Sequence, residues 1–138
     1  MIDNLVDNAL ATLLRASLTG IAGLSVVTGI QDNMPDLETP YLVIYSDIEK
    51  AEANKPVFTL KTIIEYVTLS GIEGQATIQT TMTAVDAALS NTPLPAIEAQ
   101  VVTTGLRYLA WQAIERSQEN VGDRRKNVRE LTVFAEPV

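Results

Sequence analysis

A proline stands immediately before the apolar run Tyr41-Leu42-Val43-Ile44-Tyr45, and that junction limits the fold more than any other stretch of the chain. Pro40 has no N–H to give and biases Thr39 towards an extended backbone, so it opens a strand and cannot lie within a ladder. The residues after it show no polar alternation. That predicts a strand covered on both faces, or one whose second face meets another surface. Such a strand needs a core around it, and 138 residues with 46% apolar side chains fit a single domain over residues 1–138.

The neighbouring segments supply the layers. Ile2, Leu5, Val6, Ala9, Leu10, Leu13 and Leu14 recur at spacings of three and four, the stripe of an amphipathic helix ending near Thr19-Gly20. Asp3 and Asp7 lie in its first two turns, where acids favour the positive end of the helix dipole. Leu24 to Thr28 reads as a short strand. After the Pro40 strand, residues 47–56 form an extended polar loop closed by Pro56, and Val57 to Leu69 returns as a second long strand. Gly71 and Gly74 then break the chain before Ile78, Met82, Val85 and Leu89 mark a second helix, whose other face is small and uncharged; Asn91-Thr92-Pro93-Leu94-Pro95 stops it. Gln100 to Thr104 and Leu106 to Ser117 read as strands. Arg129, Leu131, Val133 and Ala135 alternate in period two within a last strand, and residues 118–126 form a polar hairpin tip around Gly122-Asp123. The expected fold is α+β: a mixed, mainly antiparallel sheet of about four to six strands with two main helices packed on it.

Charge is unevenly distributed. The net charge is −7, yet residues 1–100 hold 4 basic and 12 acidic side chains while residues 101–138 hold 6 and 5. An acidic surface repels phosphate backbones, which disfavours specific nucleic-acid binding, although the run Arg124-Arg125-Lys126 offers a local contact to an acidic partner. No apolar run approaches the ~20 residues of a membrane-spanning helix, and Met1-Ile2-Asp3-Asn4 carries an acid where a signal peptide has bases, so no membrane partner is expected.

The residues of common catalysis are absent. The chain has no histidine and no cysteine, which removes Ser-His-Asp triads, thiol nucleophiles and the usual zinc sites together. Gly71-Ile72-Glu73-Gly74 is too short and too acidic to cradle phosphates. Asp47, Glu49 and Glu52 could gather a hard cation, but their spacing is not that of an EF-hand, and a solvated loop is the plainer reading. Trp111 with Tyr108 could stack a base or sugar, yet aromatics this close in an apolar strand more often belong to core or interface. The expectation is a protein that is no enzyme, with no catalytic, metal or cofactor site.

The order helix, strands, helix, strands, with Thr39-Pro40-Tyr41-Leu42-Val43-Ile44 opening an apolar strand, Thr59 to Leu69 following it and Ile78, Met82, Val85 and Leu89 striping the later helix, resembles the tail terminator or tail-completion proteins of long-tailed bacteriophages. The likeness covers most of residues 1–136. It departs from that pattern in carrying Lys61, Thr62 and Glu65 where a tryptophan and an arginine are common. The resemblance implies a virion protein, made in the bacterial host cytoplasm, that assembles as a homo-oligomeric ring of six copies at the head-proximal end of the tail. There it would cap the tube and join it to the neck, meeting the tail-tube and connector proteins while DNA passes without specific binding. In such a ring Asp32, Asp36 and Glu38, with Asp47, Glu49 and Glu52, are candidates to face the channel. Asp47, Glu49, Glu52, Arg124, Arg125 and Lys126 are candidates for contacts between subunits or rings. Another neck or tube ring, such as a head-completion stopper or tail-tube protein, and a cellular α+β domain with a small ligand in a closed apolar pocket remain alternatives.

Overall fold

In the computed structural model, which describes residues 2–21, 24–29, 40–51, 56–69, 75–91, 94–122 and 124–138, the chain runs α1 (Ile2–Ser17), β1 (Ser25–Thr28), β2 (Tyr41–Ala51), β3 (Phe58–Leu69), α2 (Gln75–Asn91), α3 (Leu94–Thr104), β4 (Leu106–Val121) and β5 (Arg124–Pro137). The strands form one sheet in the order β1-β2-β3-β5-β4. Only β1 and β2 are parallel; every other neighbour pair is antiparallel. The fold is α+β. Among the described residues no helix is long and apolar enough to cross a membrane.

Helix α1 lays its stripe on the sheet. Val6, Ala9, Leu10 and Leu14 are fully buried and join Leu42, Ile44, Leu60, Ile64, Leu131 and Val133 in one cluster, to which α2 adds Ile78, Met82, Val85 and Leu89. The helix is closed by backbone bonds from Leu18 to Leu14 and from Ile21 to Leu18. The expectation for β2 is met: Tyr41, Leu42, Val43 and Ile44 are all fully buried. Leu42 and Ile44 face the helices, whereas Tyr41 and Val43 join Val67 in a small cluster on the second face, with Val27 and Tyr45 against it.

Three expectations are corrected. Gln100 to Thr104 is the end of helix α3, not a strand. Pro95 lies in the first turn, where its missing N–H costs nothing, so a proline expected to stop α2 instead opens the next helix. Ile97 and Val101 sit half-buried four residues apart, Val102 faces solvent, and Gly105, at φ 82°, turns the chain into β4. The second correction concerns residues 47–56: β2 continues through Ala51 against β3, with an irregularity between Ile48 and Lys50, before residues 52–55, which lie outside the described residues. The third concerns 118–126. Strand β4 runs to Val121 and β5 starts at Arg124, so the polar tip shrinks to the turn at Gly122, where φ is 60°.

Candidate functional site

The sheet has two faces of unlike chemistry. Residues of one parity point at the helices, and those of the other make a second face on which the register collects Asp47, Glu65, Glu115, Glu119, Glu130 and Glu136 against Lys50, Lys61, Arg124 and Lys126. The bases on this face are tied down. Lys61 Nζ lies 3.1 Å from Glu130, and Lys126 Nζ lies 3.8 Å from Glu65, which also accepts a 2.9 Å hydrogen bond from Tyr45. Glu65 is 8% exposed, and burial, followed by the bond to Glu65 and its charge, raises the Tyr45 phenol above its ordinary range. Acids dominate what solvent meets.

Asp47 and Glu49 are exposed on the outer half of β2. Arg124, Arg125 and Lys126 are half-buried in the first rungs of β5, opposite Leu69, Thr68 and Val67 of β3 and Val121, Asn120 and Glu119 of β4. Arg124 donates a 2.8 Å bond to the Tyr41 hydroxyl, at the opening of β2. The structure therefore does not bring the candidate acids and bases together. Lys61 pairs with Asp47 and Val67 with Lys126, so six residues of β3, about 20 Å, separate them. Asp32, Asp36, Glu38 and Glu52 lie outside the described residues. Trp111 and Tyr108 make no joint platform: the indole N–H turns inward to the Leu89 carbonyl at 2.8 Å, and Tyr108 stands opposite Glu136, 48% exposed.

On the helix side, two features escaped the sequence reading. Arg129 and Arg116 are cross-strand partners, an arrangement of like charges that destabilises a sheet unless something intervenes. Asp86, the only charged residue of α2, intervenes: its carboxylate accepts bonds of 2.7 and 3.4 Å from Arg129 and lies 3.5 Å from Arg116. This clamp fixes α2 to the sheet beside an open groove of about 260 Å3 lined by Ile78, Gln79, Met82, Thr83, Asp86, Arg116, Asn127 and Arg129. The signal was present in sequence, because Arg129 shares the parity of Leu131, Val133 and Ala135, an inward position that a cation occupies only with a partner.

The second feature is Asp7, 4% exposed beneath α1. Ser46 donates to it at 2.6 Å, and Thr62, the cross-strand partner of Ser46, lies 2.7 Å from the same hydroxyl. Ser46 has one proton to give, so Thr62 must donate to Ser46 when Asp7 is ionised. Burial, reinforced by the charges of Asp3 and Asp47, pushes the Asp7 carboxyl up to about 6 despite the Ser46 bond. The guanidinium–carboxylate clamp holds no nucleophile, and the Ser46 hydroxyl beside Asp7 is buried with it, at 7% and 4% exposed, away from any substrate in solvent. Among the described residues no three acids converge as a metal site requires.

No family model matches the chain, and no curated protein matches it. Solved structures do. A chain in the virion of a native gene transfer agent particle is similar over 92% of this chain and 94% of that one, with a TM-score of 0.54 at 17% identity. The gp17 protein of bacteriophage SPP1 is similar over 97% and 92%, with a TM-score of 0.42 at 16% identity. The first of these likenesses shows a shared fold over nearly the whole length of both chains.

Proposed function

We propose that the chain is a structural virion protein of a tailed phage or phage-like particle. It closes into a ring at the head-proximal end of the tail, caps the tube and joins it to the neck. The observation that carries the reading is the fold shared, almost end to end, with a chain of a gene transfer agent virion. The chain's own chemistry is compatible: Asp86 and Arg129, the most buried ion pair among the described residues, clamp a helix, and the second sheet face offers DNA a mainly acidic surface that would not hold it. Ring formation requires a heterologous contact that closes, and six copies is the number the resemblance implies. Native mass spectrometry and negative-stain images of the purified chain, alone and in assembled particles, test it. A closed ring is the expected result. A chain that stays monomeric across micromolar concentrations and is missing from particle necks overturns it.

A further inference from the structure

We propose that the groove between α2 and the β4–β5 hairpin is the docking site for the acidic end of β2 from a second copy of this chain, an inference that rests on the ring proposed above and names its subunit contact. The groove has an unmatched cation. Arg129 is engaged by Asp86 through two nitrogens, but Arg116 meets the same carboxylate only at 3.5 Å and leaves its side chain 65% exposed. Two guanidinium groups thus share one carboxylate, and the planar fork of Arg116 keeps free donors suited to a second. The amide nitrogen of Asn127, which lines the same groove, is buried and has no hydrogen-bond partner among the described residues. An anionic acceptor resting on Arg116 and Asn127 would answer both, with Met82 giving the groove an apolar wall.

Three observations identify the occupant. Asp47 and Glu49 stand exposed near the end of β2, beside Lys50 and with Ile48, 47% exposed, turned to the opposite face, so the segment offers two carboxylates against one ammonium to the donors of the groove. Strand β1 pairs with β2 only as far as Ile44, so among the described residues no strand lies beside the edge of β2 that carries these acids. Finally, β4 is the opposite edge of the same sheet. Each copy therefore carries acid at one edge and the groove at the other, the head-to-tail disposition that a heterologous ring contact needs.

The test is assembly of the full chain, followed by native mass spectrometry and sedimentation, for wild type, Arg116→Glu, the pair Asp47→Lys with Glu49→Lys, and all three changes combined. Each of the first two variants should raise the concentration of half-assembly roughly tenfold or more, and the combination, which restores opposite charges, should recover much of it. Unchanged circular dichroism is expected, since all three side chains are exposed; should Arg116→Glu unfold, the β2 pair carries the test alone. Normal assembly of the β2 pair, or of a folded Arg116→Glu chain, overturns this contact and leaves the ring standing. If Arg116→Glu rings form but fail to join particles, the groove serves a different virion protein and the second-copy occupant is wrong. A wild-type chain that never self-associates overturns both.

Discussion

The helix-covered face and the second face of the sheet are built on the same backbone ladder, yet they treat charge in opposite ways. Under the helices the buried charges have dedicated partners: Asp86 bridges Arg129 and Arg116, and Ser46 with Thr62 holds Asp7. On the second face, outside the buried patch of Tyr41, Val43, Val67 and Glu65, acids outnumber bases and the pairs are partly wet, as at Lys61 and Glu130, whose side chains are 44% and 35% exposed. Water explains the difference. A charge beneath a helix layer loses its hydration and must be replaced by fixed partners, whereas a charge on an uncovered face keeps its hydration and tolerates like-charged neighbours. One face holds the fold together; the other is free to be shaped by what it meets.

The contrast breaks most sharply at adjacent residues of β3. Ile64 is fully buried among α1 and α2 side chains, and Ile64→Ala should cost about 4 kcal/mol through lost transfer energy and the cavity left behind. Ile63 points to the second face and is half-buried there, so Ile63→Ala should cost about 1 kcal/mol. Urea denaturation of the two variants measures both. Equal losses would mean that the second face is as closely packed as the first.

Next in size is the clamp. Arg129→Ala leaves Asp86 with the distant Arg116 alone and should destabilise by about 2–3 kcal/mol. Adding Asp86→Ala should return part of that loss, since the second change removes the stranded carboxylate. Strictly additive losses in this double-mutant cycle would show that the two side chains act through packing rather than through their charges.

What the sequence disclosed follows the same division. The stripes of α1 and α2, the double burial of Tyr41–Ile44 and the inward parity of β5 were all legible, because apolar periodicity reports which face meets the core. Gln100 to Thr104 misled because valine and threonine favour strands, a preference overruled by Pro95 at the helix start and Gly105 at its end. The outer half of β2 looked like a loop because a strand whose side chains are exposed and which, among the described residues, is unpaired on one edge needs no apolar alternation. Of the site, Asp47, Glu49 and the basic triplet were visible as charges. Their separation was not, since it depends on register between strands far apart in sequence. Arg116, Asn127 and Asp86 drew no notice because each is ordinary alone; only the α2 crossing makes them one groove.

Asp7 gives a smaller effect and a sign. Its folded-state pKa, about 6, lies above the ordinary 3.8, so the folded protein binds that proton more tightly than the unfolded chain does. Stability from this group is fully present below about pH 3.8 and is lost as pH rises through about 6. Asp7→Asn keeps an acceptor for Ser46 but cannot ionise, so it should be close to neutral at pH 4 and more stable than wild type by about 1–2 kcal/mol at pH 7. Thermal melts of both proteins across that window check it. A difference independent of pH would mean that Asp7 titrates normally and that its burial is relieved by some rearrangement on ionisation.

The smallest effect belongs to the second face, and it concerns what Lys61 restrains rather than what it binds. Glu130 stands directly opposite Glu115 across the β4–β5 ladder, a like-charged pair that should push the strands apart, and Lys61 reaches Glu130 from β3 at 3.1 Å. The Lys61 ammonium holds its proton more tightly than usual, first through its bond to Glu130 and then through the field of that carboxylate and of Glu49 and Glu115. Lys61→Met should therefore lower the melting midpoint slightly at low salt, and the loss should vanish near 1 M salt, where screening shortens to about 3 Å. Adding Glu115→Gln should also erase it, because the repulsion that Lys61 offsets is then gone. A loss that survives both high salt and Glu115→Gln would place Lys61 with the packed residues of the covered face and remove the distinction between the two.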